Sequence, residues 1–394
     1  METKKRLRIV HINRGFGTFG GATIAMVRLH EALIAAGHES IVCCTTTYGA
    51  VVPQTVQVKL PFFSVLLQIC FKVFFKLIRV CHQSTGFIPT PKAHVVNALH
   101  PDAVICHWLQ NDTLAIRELA QIKAPLFYYH HDLWPVRGLS AYEWFKVPRR
   151  LLWLDTLVKQ YKRKIYKKLG NHITPVCASK WVAAEIERSH MFENPPRIIP
   201  LVLSDEFQTA SAPHNTSFRI LFGSRTGFGD GIKGGDRLLA ALRLIPLDER
   251  KQMELVVFGN SEAEEEVEGL NIRFLGRLTG APLVEAYQSS DLFVFPSRQE
   301  TFGQTKIEAL ACGVPVVAFD ETACAEGIRH RETGWVTPAD DMASYAEGIR
   351  FFFAAWKRGQ AVRVSAQETA CYRRAAVVAQ WEDIIHTTEE RDER

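Results

Sequence analysis

No pair of cysteines in this 394-residue chain stands in C-x-x-C spacing, and the nine cysteines are odd in number. A zinc ribbon and a disulfide scaffold are therefore excluded, and the adjacent Cys43 and Cys44 point to reduced thiols in a cytosolic protein. Low-complexity tracts and repeats at solenoid periods are absent too, which removes linkers, stalks and arrays. With 47% hydrophobic and 23% charged residues, the chain is neither disordered nor collagen-like. Met1 to Val10 carries four basic residues, but the apolar stretch ending it, Ile9 to Ile12, stops at Asn13-Arg14-Gly15 and is too short for a secretory signal.

What is present divides in two. At roughly 100–200 residues per domain, the length calls for two domains. The net charge of +5 conceals a polarity: residues 1–200 hold 26 Lys and Arg against 12 Asp and Glu, and residues 201–394 hold 21 against 30. A basic first half suggests an anionic surface as its neighbour. Apolar runs at Leu7–Ile12, Ile41–Thr45, Ala103–Cys106, Leu126–Tyr129 and Ile173–Val176 alternate with helical stretches, the first of them Ala22–Ala36 closed by Gly37. That is the pattern of a parallel sheet covered on both faces. A second series follows, with strands at Ile220–Phe222, Glu254–Phe258, Ile272–Leu275, Leu292–Phe295 and Val316–Phe319 and helices at Gly235–Leu244, Pro282–Ser289 and Gln304–Ala311. The boundary is expected between Ile199 and Phe218, where residues 211–216 have linker composition. The fold class is α/β with two doubly wound domains facing across a cleft, and ligands are sought beyond the carboxyl ends of the strands.

The richest segment is Asp291 to Asp320, a strand, a loop, a short helix ended by Gly313 and another strand after Pro315. A helix beginning at Gln304-Thr305 presents unpaired N–H groups and the positive end of its dipole, and Gly303 before it lets a ligand approach the backbone. Such an end suits a diphosphate. Glu300 and Glu308, eight apart, bracket it and are able to accept bonds from sugar hydroxyls. This E-x7-E string with Phe302-Gly303 inside it, followed by Ala309-Leu310-Ala311-Cys312-Gly313-Val314-Pro315-Val316, resembles the retaining family 4 glycosyltransferases of GT-B fold, of the type that builds bacterial polysaccharide and lipopolysaccharide. The resemblance implies that Glu300 contacts the donor sugar and Glu308 the nucleotide ribose, with Phe302, Gly303, Gln304 and Thr305 at the donor. Upstream, Lys233 in Ile232-Lys233-Gly234-Gly235 and Arg225 after Gly223-Ser224 look like the family's pair of cations on the leaving diphosphate, although Ser224 stands where the family has its arginine. No D-x-D motif occurs, so no metal cofactor is expected and cations are left to neutralise the leaving group.

In the first half, Gly20-Gly21-Ala22 resembles the family's acceptor loop, and Tyr129-His130-His131-Asp132-Leu133-Trp134-Pro135 looks like its H-D-x-W-P stretch. By that likeness His131 is the active-site residue, hydrogen-bonding and positioning the donor sugar, and His130 is a supporting or buried residue. Asp132 either orients an imidazole or caps the next segment. Retention is met by front-face attack, in which a leaving phosphate oxygen takes the acceptor proton, or by double displacement; the residues leave both open.

Phe62 to Val80 is almost wholly apolar apart from Ser64, Gln68, Lys72, Lys76 and Arg79, spaced about one turn apart. Too short to span a bilayer, it is expected to lie in the interface with Phe71, Phe74 and Phe75 among lipid. Lys146 to Lys168 adds nine basic residues against Asp155 alone. The other reading of these stretches is a packed helix and a solvated face. RNA is not expected, since aromatic platforms are absent. The domains are thus drawn as 1–200 for the acceptor, 201–370 for the donor, and 371–394 as a helix crossing back. The function expected is transfer of a sugar from a UDP- or GDP-linked donor to a lipid-linked or polysaccharide acceptor at the cytoplasmic face of the inner membrane. A nucleotide-sugar epimerase and a non-catalytic carbohydrate- or membrane-binding relative are the alternatives.

Overall fold

The computed structural model describes residues 5–17, 20–48, 54–77, 84–110, 113–141, 147–211, 215–224, 227–260 and 266–392. It divides into two units, Met1–Val202 with Arg374–Arg394, and Leu203–Arg373.

The first unit is built on strands β1 (Arg8–Ile12), β2 (Gly15–Gly17), β3 (Glu39–Cys44), β4 (Thr46–Tyr48), β5 (Thr55–Gln57), β6 (Ala103–Cys106), β7 (Leu126–His130), β8 (Ile173–Cys177) and β9 (Arg197–Ile198). Seven of them form one sheet in the order β5-β3-β1-β6-β7-β8-β9, all pairs parallel, with β2 and β4 paired apart. Parallel neighbours need crossovers, and helices α1 (Gly21–Ala35), α2 (Phe62–Leu77), α3 (Lys92–Ala98), α4 (Leu152–Leu169) and α5 (Lys180–Ser189) lie between the strands in sequence. Every residue of β6 and β7 is buried, as strands covered on both faces must be. Strand order reverses between β1 and β6, which makes their carboxyl ends the switch point of this sheet.

The second unit repeats the scheme with β10 (Phe218–Gly223), β11 (Met253–Phe258), β12 (Asn271–Gly276), β13 (Leu292–Phe295), β14 (Val316–Phe319) and β15 (Gly334–Thr337), and with α6 (Gly235–Arg243), α7 (Leu247–Arg250), α8 (Ala281–Gln288), α9 (Gln304–Ala311) and α10 (Met342–Lys357). Its sheet runs β12-β11-β10-β13-β14-β15, again all parallel, and reverses between β10 and β13. Leu238, Leu242, Leu255, Val317, Tyr345 and Phe352 close the core on one face. The apolar runs in the sequence stop at β14; β15 and α10 extend the unit beyond them. The last helix, α11 (Arg374–Asp392), is part of the first unit, where Trp381 is wholly buried edge-on to Phe127 and Tyr129 and Glu382 Oε1 lies 2.7 Å from His38 Nε2.

Candidate functional site

At the switch point of the second sheet, two loops meet. The loop after β10 carries Lys233, and the loop after β13 carries Glu300; Lys233 Nζ donates to Glu300 Oε1 and forms an ion pair with it, while Ser297 Oγ donates to the same oxygen at 3.3 Å. Burial pulls the Lys233 amine down, but the Glu300 charge, its hydrogen bond and Asp230 together hold it above the ordinary lysine value. The amine is held charged. The glycines after it are sterically required: Gly234 has φ +70, and a Cβ there falls 2.1 Å from the Pro296 carbonyl oxygen at the end of β13. Ser224 is buried and its N–H bonds Phe258 O; Arg225 lies outside the described residues.

Three residues beyond Glu300, Gly303 caps α9 with φ +84, and a Cβ there meets the Phe295 ring at 2.9 Å. Gln304 and Thr305 open the helix half-buried. The Phe302 ring is buried edge-on against Tyr372, so this expected donor contact is a packing residue by its side chain. Glu308 is buried, with Tyr287 Oη donating to its Oε2 at 3.3 Å. Glu300 itself is gripped by the loop after β14: its N–H donates to Thr322 Oγ1 at 2.9 Å, and Ala323 N–H donates to its carbonyl at 3.3 Å. Thr322 has φ +50, a costly conformation for a β-branched residue and one that functional loops retain.

Two cations that motif reasoning passed over hold that loop. Lys306 on α9 is buried, with Nζ donating to Ala323 O at 2.8 Å and Glu326 O at 2.6 Å, and burial lowers its pKa to about 8. Arg237 on α6, also buried, pairs with Glu321 and with Asp340 Oδ1 at 2.6 Å. The available signal was position: Lys306 precedes the buried stretch Ile307–Ala311 of α9, and Arg237 precedes the buried Leu238 and Leu239 of α6.

In the first unit, Gly20 caps α1 with φ +88, and among the described residues nothing lies within 4 Å of a Cβ built on Gly20 or Gly21. His131 follows β7 at the carboxyl edge of the sheet. Its Nε2 lies 2.9 Å from His107 Nδ1, and His107 Nε2 lies 2.9 Å from His11 Nδ1. Burial lowers the His131 pKa to about 3. His130 is buried between the Tyr128 and Phe192 rings. Asp132 Oδ1 accepts from Trp134 N–H at 2.9 Å and Oδ2 from Trp108 Nε1 at 3.0 Å, so it caps the following turn and orients no imidazole. Neither His11 nor His107 belonged to the expected site. They sit 96 and 24 residues from their partners, and no local motif joins them.

The expected lipid face needs correcting. Ser64, buried with Oγ donating to Pro89 O at 2.7 Å, and Phe75 mark the inward side of α2. Phe75 and Phe71 pack on Leu139, Leu151, Leu154 and Val158, so these two rings are not free for lipid; Phe74 is exposed. Lys162 is not a surface cation either. It is wholly buried on α4, with Nζ donating to the carbonyls of Trp134, Arg137 and Gly138 at 2.7–3.0 Å and lying 3.4 Å from the Trp134 ring centre. Residues 78–80 and Lys146 lie outside the described residues. What remains outward is Phe62, Phe63, Leu66, Ile69, Val73 and Phe74 on α2 with Lys72 and Lys76, and Leu152, Trp153 and Leu157 on α4 after Arg149 and Arg150. Among the described residues, no helix is long and apolar enough to cross a membrane, and no group of three or more His, Cys, Asp or Glu is placed to hold a metal ion.

Comparison with known proteins adds the family. Residues 19–205 match the family described as Glycosyltransferase Family 4, and residues 213–369 match Glycosyl transferases group 1. Among curated relatives, a lipopolysaccharide core biosynthesis mannosyltransferase, LpsB of Rhizobium meliloti (strain 1021), is 42% identical over 83 residues, 21% of this chain and 23% of its own. A D-inositol 3-phosphate glycosyltransferase of Catenulispora acidiphila is 32% identical over 174 residues, 40% of this chain and 41% of its own. The chain thus matches well under half the length of these relatives. Among solved structures, Anabaena HepE in complex with UDP and glucose superposes with TM-score 0.66 at 16% identity, covering 98% of this chain and 100% of its own. With both halves matched and the GT-B fold present, the chain belongs to the family 4 glycosyltransferases.

Proposed function

We propose that the protein is a retaining, metal-independent hexosyltransferase that moves a sugar from a UDP- or GDP-linked donor to a lipid-linked or polysaccharide acceptor in bacterial surface polysaccharide assembly. The Lys233–Glu300 pair beside the glycine-capped start of α9 carries this reading. As a sugar–phosphate bond breaks, negative charge grows on the leaving diphosphate. A lysine held charged and the open N–H groups of a helix start stabilise that growth more than they stabilise the intact donor. Glu300 meets sugar hydroxyls, Glu308 the ribose, His131 a donor-sugar hydroxyl, and the Gly20-Gly21 loop the acceptor. A front-face attack, with a leaving phosphate oxygen taking the acceptor proton, needs no enzyme nucleophile. The UDP and glucose held by Anabaena HepE, and the mannosyltransferase activity named for the Rhizobium relative, support the donor class.

The outward apolar residues of α2 and α4, bordered by Lys72, Lys76, Arg149 and Arg150, support peripheral contact with an anionic cytoplasmic leaflet. Basic residues near such a surface contribute about 1 kcal/mol each. The test is turnover with a panel of UDP- and GDP-sugars. Nucleotide release only when an acceptor is present is the expected result, and Lys233→Ala and Glu300→Ala are each expected to lower it by about 10² or more. EDTA is expected to leave the rate unchanged. Epimer formation without acceptor, or full activity in both variants, rejects the proposal.

A further inference from the structure

His131, half-buried, leads into a chain of four buried polar side chains. From its Nε2 the chain runs to His107 Nδ1, then from His107 Nε2 to His11 Nδ1, then from His11 Nε2 to Ser40 Oγ at 2.9 Å, and from Ser40 Oγ to His30 Nδ1 at 2.8 Å. The sheet builds it as a staircase. Register pairs His11 with Ile105 and Cys106 with Tyr128, so each step crosses one parallel strand and climbs two residues toward the carboxyl edge. The His11, His107 and His131 rings stack at 5.2 Å per step, tilted by 28° and 19°.

A neutral imidazole has one N–H and one lone pair, and a hydroxyl has one proton. Burial keeps these rings neutral, pushing His30 to about 4, His131 to about 3, and His11 and His107 well below the usual histidine value. With two ring nitrogens on its oxygen, Ser40 keeps its own proton bonded only by giving it to one and accepting from the other, since accepting from both strands that O–H in the core. Two arrangements satisfy every link and also the Ser40 proton: all four histidines carry the proton on Nε2, or all four carry it on Nδ1. Any mixed arrangement sets two donors or two lone pairs face to face, or strands the Ser40 proton, in a buried gap, which is a hydrogen bond lost without water to replace it.

We propose that His107, His11, Ser40 and His30 are positioning residues that fix the tautomer of His131 as one unit, and thereby decide whether its Nδ1 offers an N–H or a lone pair to a ligand hydroxyl. The inference rests on His131 facing the ligand, as read above, only for its functional half.

The test is ¹⁵N NMR of histidine-labelled protein. Wild type is expected to show His11, His30, His107 and His131 in one common tautomer. Ser40→Ala leaves His11 Nε2 without a partner, and since a bare buried nitrogen is cheaper than an orphaned N–H, His11, His107 and His131 are expected together as Nδ1–H, with His30 uncoupled. Ser40→Thr keeps the hydroxyl and is expected to keep the wild-type pattern and turnover, whereas Ser40→Ala is expected to lose turnover if the wild type carries the protons on Nε2 and to keep it if they already sit on Nδ1. Rings in different tautomers, in wild type or among these three in Ser40→Ala, overturn the proposal. Addition of UDP-glucose and GDP-mannose in turn separates the two readings. If neither moves the His131 signals while the common tautomer holds, the ligand-facing role fails and the chain stands; if His131 responds while the rings disagree, the reverse holds.

Discussion

Lys162 and Lys164 stand two residues apart on the same helix and meet opposite surroundings. Lys162 exchanges its water for three backbone carbonyls and an indole face, while Lys164 is exposed. Lys162→Met takes a charged donor from three interior carbonyls, of which Trp134 O keeps a bond from Arg137 N–H at 3.2 Å, and is expected to cost at least about 2 kcal/mol in urea denaturation. Lys164→Met is expected to stay within about 0.5 kcal/mol of wild type. Equal effects would show the amine to be idle. Composition counted both as surface charge, because charge alone does not report depth. The four-residue spacing of Val158, Lys162 and Tyr166, all buried, was the legible hint. The same holds for Lys306 and Arg237, whereas Glu300 and Glu308 stand eight apart on one loop and its helix, and Lys233 stood out only through its own Ile232-Lys233-Gly234-Gly235 string on another loop. The histidine staircase was not readable, since its members come from separate strands and meet only through sheet register.

At the level of the element, α2 keeps one face for the protein and leaves the other uncovered. Phe75→Ala empties a packed site and is expected to cost about 3–5 kcal/mol of stability. Phe63→Ser, on the outward side, is expected to leave stability unchanged and to weaken sedimentation with phosphatidylserine vesicles, as is the pair Lys72→Glu and Lys76→Glu. Undiminished vesicle binding in both would assign this face to another partner. α9 shows how closely pattern and structure agree when the signals are strong: its bounds, like those of β6, β13 and β14, are the ones the apolar runs predict, because Gly303, Gly313 and Pro315 punctuate the segment. β15 and α10 lie beyond the last such run and were missed. Gly303→Ala forces φ +84 on a residue with a Cβ and a contact at 2.9 Å with Phe295; a loss of about 1 kcal/mol or more is expected, together with weaker binding of UDP or GDP by calorimetry.

On the scale of the whole molecule, histidine is distributed unevenly. Leu203–Arg373 contains only His214 and His330, while the first unit buries His11, His30, His107 and His130 and half-buries His131, all in their neutral forms. Each has a folded pKa below its unfolded value near 6.5, so the stability it contributes is complete above that value and is lost as pH falls toward 4 or 3. The slope is up to about 1.4 kcal/mol per pH unit for each ring. Asp132, raised by burial to about 6, acts in the opposite sense as a single group. Acidification from pH 7 to 4.5 is therefore expected to expose the amides of Met1–Val202 to hydrogen exchange before those of Leu203–Arg373, and the opposite order would refute this account. The division into two doubly wound units was visible in the alternation of strands and helices, because that alternation is repeated twice with a polar interval between. Placement of α11 in the first unit has its own corollary for biosynthesis. Val202 leaves the ribosome long before Trp381 exists, so a nascent first unit must wait, with Phe127 and Tyr129 unsealed, until all of Leu203–Arg373 has been translated. The part begun earliest is completed last, and a chaperone that shields those rings during the interval should raise the yield of native protein more than one recruited after release.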